Sequence, residues 1–477
     1  MIAPVPDLGT EAQNFVRDPG NGTTSTAVLL NQHVDHCRTR KHFMKRTLFL
    51  IAICVCFCVG NARADQRDST TFGIVRSIRI DGNSVTQPYV ILREMSLHAG
   101  DTLTQASLVR DQDRIYNLGL FNKVVITHRD SAETSELFVS VVERWYIFPI
   151  PILNLRTRAA NTASYGLGAI HQNFLGRNER LSASFMTGYD HSAGLTYQTP
   201  RIKDDDDIFL RAQYQYRDSH SLDYNSDIVF EQINRTGSVS LGKRFGYYQT
   251  LIGTAGYQTW QLPDTSLGRT VSPDGTDRFL ELGLNYTYDA RDVREYPTDG
   301  WYLDVSATQD GLGHESTLNN LRLVNDLRWY TLLSDNLTFA ARGFGSLVAG
   351  GAVPMYHRVF LNNRLGIRGY NQRDYTGEDL LGASLEVRMP LIQPRFVTFN
   401  FFNIYQFNTM RFGIYAAAFT DAGKIWYRSD PFGNVPWLAS SGVGLHFLLP
   451  YSFILRTELS INAIGQVRLA ANGGVSF

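Results

Sequence analysis

From Tyr146 to Phe477 apolar and polar residues alternate in stretches of about ten, separated by Gly, Asn, Asp and Pro. Arg180 to Gly188, Ile208 to Tyr216, Thr236 to Gly242, Trp301 to Ala307 and Leu337 to Leu347 are of this kind. In Phe279 to Tyr288, residues Phe279, Glu281, Gly283, Asn285 and Thr287 fall on one face of a strand. Leu280, Leu282, Leu284, Tyr286 and Tyr288 fall on the other. A soluble sandwich would bury that second face, whereas a transmembrane barrel would turn it to lipid; periodicity alone fits both. Counting strands back from Phe477 gives about sixteen, an even number as in closed bacterial barrels.

The pattern before Tyr146 is different. Ile74 to Ile80 alternates as a strand and ends at the turn signal Asp81-Gly82-Asn83. Thr86 to Met95 has helical spacing, with Val90, Ile91 and Met95 on one face. Gly100-Asp101 interrupts it, and Thr104 caps a second helix that carries Leu108, Ile115 and Leu118 and stops at Gly119. Leu120 to Thr127 and Leu137 to Val142 alternate again. Residues 72–144 therefore form a small α+β module in the order β-α-α-β-β.

The first residues carry an address. Thr47 to Gly60 is apolar, follows Met44-Lys45-Arg46 and precedes Asn61-Ala62-Arg63-Ala64. A basic start, a short apolar core and an Ala-x-Ala end mark residues 44–64 as a secretory signal, with Ala62 and Ala64 at the cleavage site. It is too short to span a membrane, which needs about 20 apolar residues. Residues 1–43 read as a disordered extension or as the product of a start codon set too early, with Met44 the true start. Residues 65–71 read as a linker. The only cysteines are Cys37, Cys54, Cys56 and Cys58, so an exported chain cut after Ala64 has none to mis-pair. Export and the aromatics near strand ends favour the barrel over the sandwich. The formal net charge of zero argues against a nucleic-acid partner.

On that reading, Pro200 to Asp207 and Arg291 to Gly300 are periplasmic turns. Leu262 to Thr276, Gly350 to Gly377 and Gly423 to Leu438 are outer loops. The longest of these holds Arg368 between Ile367 and Gly369-Tyr370. Asp421 waits near the end of a later strand, in Phe419 to Gly423. An arginine beside an aromatic, with a carboxylate on a facing strand, suggests a loop pinned inward by a two-pronged charge pair; a solvated surface arginine is the alternative. In Ile147 to Leu155, Pro149 and Pro151 are two apart, so both missing N–H groups lie on one strand edge. Gly465, Gly473 and Gly474 weaken the final strand, which ends at Phe477. A first and last strand that pair poorly make a seam able to open sideways; the alternative is that the prolines are linker between module and barrel.

Enzymatic motifs are missing: there is no phosphate loop, zinc spacing or nucleophile elbow. His171, His191, His220, His314, His357 and His446 are scattered singly, so neither metal nor cofactor is expected. The acidic run Asp204 to Asp207 lacks the Gly and the ligand periodicity of a calcium loop.

Several of these stretches together resemble the BamA/TamA-like outer-membrane assembly and translocation superfamily, which joins POTRA modules to a surface-antigen type barrel. Gly82-Asn83, the Leu118-Gly119-Leu120-Phe121 corner and Glu143 resemble its POTRA module. Ile367 to Tyr370, Phe419 to Gly423, Gly382 to Pro390, Asn173 to Gly176 and Tyr197 to Pro200 resemble its barrel motifs, the last two its early strands. The terminal Phe477 resembles the signal that barrels present to their insertion machinery. The resemblance implies that the outer loop folds into the lumen, where Arg368 pairs with Asp421 and Glu386. It implies an outer-membrane protein of a Gram-negative bacterium, with its module in the periplasm and the lipid bilayer around its barrel. The expected function is that of an assembly factor receiving unfolded barrel clients through module and seam, with accessory periplasmic proteins as further partners. A pore secreting one partner polypeptide is the alternative, and the single module copy leaves the client open.

Overall fold

The computed structural model describes residues 71–131, 134–155, 162–202, 207–223, 228–262, 269–312, 318–361, 366–370, 375–398 and 409–473. The signal segment with Ala62 and Ala64, and the seam residues Gly474 and Phe477, lie outside the described residues.

The module runs β1 (Thr71–Asp81), α1 (Pro88–Leu92), β2 (Thr102–Thr104), α2 (Gln105–Asn117), β3 (Phe121–Ser131) and β4 (Thr134–Glu143). Its sheet order is β2-β1-β4-β3, with β1 parallel to β4. The three-residue β2 is an element that alternation is too short to reveal. The first helix is shorter than its apolar spacing suggests, beginning at Pro88. Thr104 and Ser107 cap α2 reciprocally, as its Thr-first sequence predicts. Val90, Ile91, Met95, Leu108 and Ile115 are buried against the sheet. At Gly82, where φ is +88°, an added Cβ would come within 2.0 Å of the Val141 carbonyl oxygen. The turn closes because that residue is glycine.

The wall begins with β5 (Ile147–Leu155), β6 (Ala163–Phe174), β7 (Glu179–Gly188), β8 (His191–Thr199), β9 (Ile208–Asp223) and β10 (Ile228–Phe245). It continues through β11 (Gln249–Gln261), β12 (Thr276–Asp289), β13 (Gly300–Asp310), β14 (Asn320–Ser334) and β15 (Leu337–Gly350). After a two-strand ladder, β16 (Val359–Phe360) with β17 (Thr376–Gly377), come β18 (Asp379–Thr398), β19 (Thr409–Trp426), β20 (Leu438–Leu449), β21 (Phe453–Asn462) and β22 (Val467–Gly473). The wall strands form one sixteen-stranded antiparallel sheet in sequence order. Leu280, Leu282 and Leu284 face outward and exposed, while Ser384, Glu386, Arg388 and Asp421 are buried on the inner face. This is a barrel with an apolar belt and a polar lumen, and β5 and β22 are its end strands.

One alternative drops out and two expectations change. Pro149 and Pro151 pair with Ala169 and Leu167 inside β5, so they are wall and not linker. Gly465 is not in the final strand: with φ +80° it forms the turn between β21 and β22, leaving Gly473 at the end of the described strand. Asn173 to Gly176 is only half early strand: Asn173 and Phe174 end β6, and Leu175 and Gly176 open the tight β6–β7 turn, with Asn173, Leu175 and Gly176 all at positive φ.

Candidate functional site

Strand parity builds the site. On β18 to β21, alternate residues place Ser384, Glu386, Arg388, Tyr415, Phe419, Asp421, Ser440, His446, Arg456 and Glu458 on the lumen face. Glycines among them admit aromatic rings. A Cβ at Gly442 would sit 2.5 Å from the Phe419 ring, and one at Gly382 would sit 2.4 Å from the Phe344 ring. The rings therefore lie flat on the wall, and Phe419 becomes a platform.

The outer loop between β15 and β18 brings Arg368 onto that platform, with its guanidinium carbon 3.5 Å from the ring centroid. Nε and Nη2 donate to the two oxygens of Asp421 at 2.8 Å each, and the Arg368 backbone N–H adds a bond of 2.9 Å. Nη1 donates to Glu386 at 2.6 Å and to Glu458 at 3.1 Å, and Nη2 also donates to Ser384 at 2.9 Å. Glu386 is shared: its second oxygen accepts from Arg388 Nε at 2.7 Å. Gly369, at φ +86°, faces Ser440 and Ser460, and its carbonyl accepts from Asn462. The Tyr370 hydroxyl donates to the Ala439 carbonyl. Gly423 is held small by Ile367, whose Cδ1 lies 2.7 Å from where a Cβ would be.

Arg368, Gly369, Tyr370, Glu386, Asp421 and Gly423 thus meet in one place. Pro149, Pro151 and Gly473 lie elsewhere, on the end strands. Sequence reasoning missed Glu458, Ser384, Phe419 and His446. Spacing made His446 look solitary, yet its Nε2 is 3.6 Å from Glu458 and its Nδ1 meets the Tyr296 hydroxyl at 2.8 Å. Glu386, His446 and Glu458 present ligand atoms within 4.8 Å of one another. Both carboxylates already hold a guanidinium, so the cluster is a charge-paired lock and a poor cation site.

The other end of the loop is fastened across the lumen. Tyr356 stacks on Trp260 with centroids 4.3 Å apart and donates to Asp277 at 2.6 Å, while Arg322 donates to the His357 carbonyl at 2.6 Å. The loop therefore bridges the mouth of the barrel from the wall near β11 to the wall at β19.

Below, the module docks on the periplasmic turns. Gln87 donates its backbone N–H to the Gly176 carbonyl at 2.9 Å, and a Cβ at Gly176 would lie 2.1 Å from the Val85 carbonyl oxygen. Arg244 grips both oxygens of Glu94 at 2.6 and 2.8 Å, and Arg114 lies 3.9 Å from the centroid of the Tyr247 ring. Tyr116 donates to Glu295, Asn117 bonds Asp292 and Arg294, and Arg144 reaches Ser452.

A sixteen-stranded sheet with a lipid-facing apolar belt, a loop locked in its lumen and a docked β-α-α-β-β module define an outer-membrane β-barrel protein with its module in the periplasm. The chain belongs to the Omp85 superfamily: that superfamily's domain matches residues 173–463, and the POTRA domain, a surface antigen variable number repeat, matches residues 73–144. It is 22% identical over 318 residues to the outer membrane protein assembly factor BamA of Nitratidesulfovibrio vulgaris, covering 64% of this chain and 39% of that protein. Against BamA of Neorickettsia risticii identity is 29% over 355 residues, covering 67% and 45%. The chain thus spans less than half the length of these curated relatives. Among solved structures, BamA from Haemophilus ducreyi lacking POTRA domains 1-3 aligns with TM-score 0.50 and 17% identity, over 84% of this chain and 85% of that one. CdiB from Escherichia coli aligns with TM-score 0.53 and 13% identity, over 84% and 75%. Both share the fold.

Proposed function

We propose that the protein inserts other β-barrels into the outer membrane, taking extended client segments at the module and templating them at the seam between β5 and β22. The observation that carries this reading is a matter of parity. The Tyr146 carbonyl accepts from Gln172 on β6, so Tyr146 and every second residue after it bond toward β6. Pro149 and Pro151 belong to the opposite set. Both missing donors therefore lie on the edge of β5 that faces away from β6, toward β22. Two absent ladder bonds on a nine-residue strand weaken that edge. An edge that pairs poorly with its own barrel remains available to a client strand. Secretion of a partner through the lumen is the competing reading, and the Arg368 loop lies across that route.

The test restores the donors. Urea-denatured outer-membrane barrels are added to liposomes holding the protein, and folding is followed by gel mobility. The native chain should accelerate folding over empty liposomes, and a Pro149→Val, Pro151→Val chain should lose most of that acceleration. No acceleration by a well-incorporated native chain, or equal acceleration by both, contradicts the proposal.

A further inference from the structure

The lock is roofed and floored by apolar layers. Above it, Ile367 and Tyr370 of the outer loop pack with Leu361, Phe344, Leu380 and Leu438. Below it, Tyr296 packs with Tyr415, Leu448 and Ile454, all buried. Tyr296 comes from the periplasmic turn between β12 and β13, on another sector of the barrel, and is 6% exposed. Its ring lies 4.4 Å from the Arg388 guanidinium carbon, and Arg388 is the residue that shares Glu386 with Arg368.

We propose that Tyr296 is a positioning residue for the outer loop, acting through Arg388 and Glu386 by keeping the floor of the lock dry. Ion pairs in a site closed to water are far stronger than the same pairs hydrated. With the floor open, water reaches Arg388, Glu386 and His446, the attraction holding Arg368 is screened, and the loop leaves its seat more often. The flank of this turn is held by the module, through Tyr116 on Glu295 and Asn117 on Asp292 and Arg294. The turn is thus held at its flank by the module and at Tyr296 by the floor of the lock.

The experiment reads the loop directly. In the full chain with Cys37, Cys54, Cys56 and Cys58 changed to serine, Ile367→Cys supplies one thiol that is buried while the loop is seated. Its labelling rate by a membrane-impermeant maleimide is measured in liposomes, on protein whose unheated gel mobility shows a folded barrel. Tyr296→Ala should raise the rate about tenfold or more, as loss of a buried ring does to local opening. Tyr296→Phe, which keeps the ring and loses only the His446 bond, should stay within about twofold of the parent. In an Arg368→Ala background, where the lock is already lost, Tyr296→Ala should add little. Three results overturn the proposal: an unchanged rate in Tyr296→Ala, equal acceleration by the Ala and Phe variants, or a full Tyr296→Ala effect without Arg368. Labelling reports the loop and not client folding, so its outcome is independent of the insertase reading.

Discussion

Arg368 carries a fixed charge into a lumen where its side chain keeps 16% exposure, and three carboxylates answer it. Asp421 matters most, because it alone takes the two-pronged fork and the backbone N–H. Asp421→Asn should loosen the loop by about 3–5 kcal/mol, the usual cost of stripping one partner from a buried pair. Arg368→Lys should fail to restore the seat, since an ammonium cannot span both oxygens or stack flat on Phe419. Protease cleavage of the outer loop on intact cells checks both: each variant should be cut faster than the native chain, and native-like resistance of Arg368→Lys would refute the fork. The sequence motifs around Arg368 and Asp421 made this pair legible, and Glu386 came only with the family resemblance of Gly382 to Pro390. Glu458 was legible in principle, since Arg456, Glu458, Ser460 and Asn462 alternate with Leu455, Thr457, Leu459 and Ile461. Nothing in one dimension, however, says which lumen residues of distant strands share a height. His446 was hidden for the same reason.

At the scale of elements, the module is held to the barrel by short polar contacts rather than by a shared core. Burial pushes the Glu94 carboxyl up, but the hydrogen bonds and charge of Arg244 outweigh it, so the folded pKa lies below the ordinary 4.5. A depressed carboxylate contributes its full stability above its unfolded pKa and loses it as pH falls through the folded value. Docking should therefore be constant near neutrality and weaken below about pH 4.5, by roughly 2 kcal/mol from this pair. Proteolysis at the module–barrel junction from pH 7 to pH 3 measures it, and Arg244→Gln should flatten that dependence. An equally steep profile in Arg244→Gln would assign the effect to other groups. The order of helices and strands in the module was legible because apolar periods of different length follow one another between Gly breaks. The docking contacts were not, since Gln87, Glu94, Asn117 and Arg244 look like ordinary surface residues until the fold brings them together. The prolines of β5 were visible, but which edge they disable needed the register.

As a whole molecule, the chain carries an outer loop across its lumen at one side and the periplasmic turns with their docked module at the other, and keeps two prolines on the edge of its first strand that faces away from β6. Alternation alone gave the strand count, because lipid on one side and water on the other impose the same period on every wall strand. On the function proposed above, the client is handled at the seam and not through the lumen. Site-specific photo-crosslinking to a stalled barrel client separates the two most directly. The probe is placed at Leu153, exposed on β5, or at Ser240, buried on the lumen face of β10. Client crosslinks from Leu153 and none from Ser240 are the predicted result. Crosslinks from Ser240 with none from Leu153 would contradict the account and make the barrel a conduit.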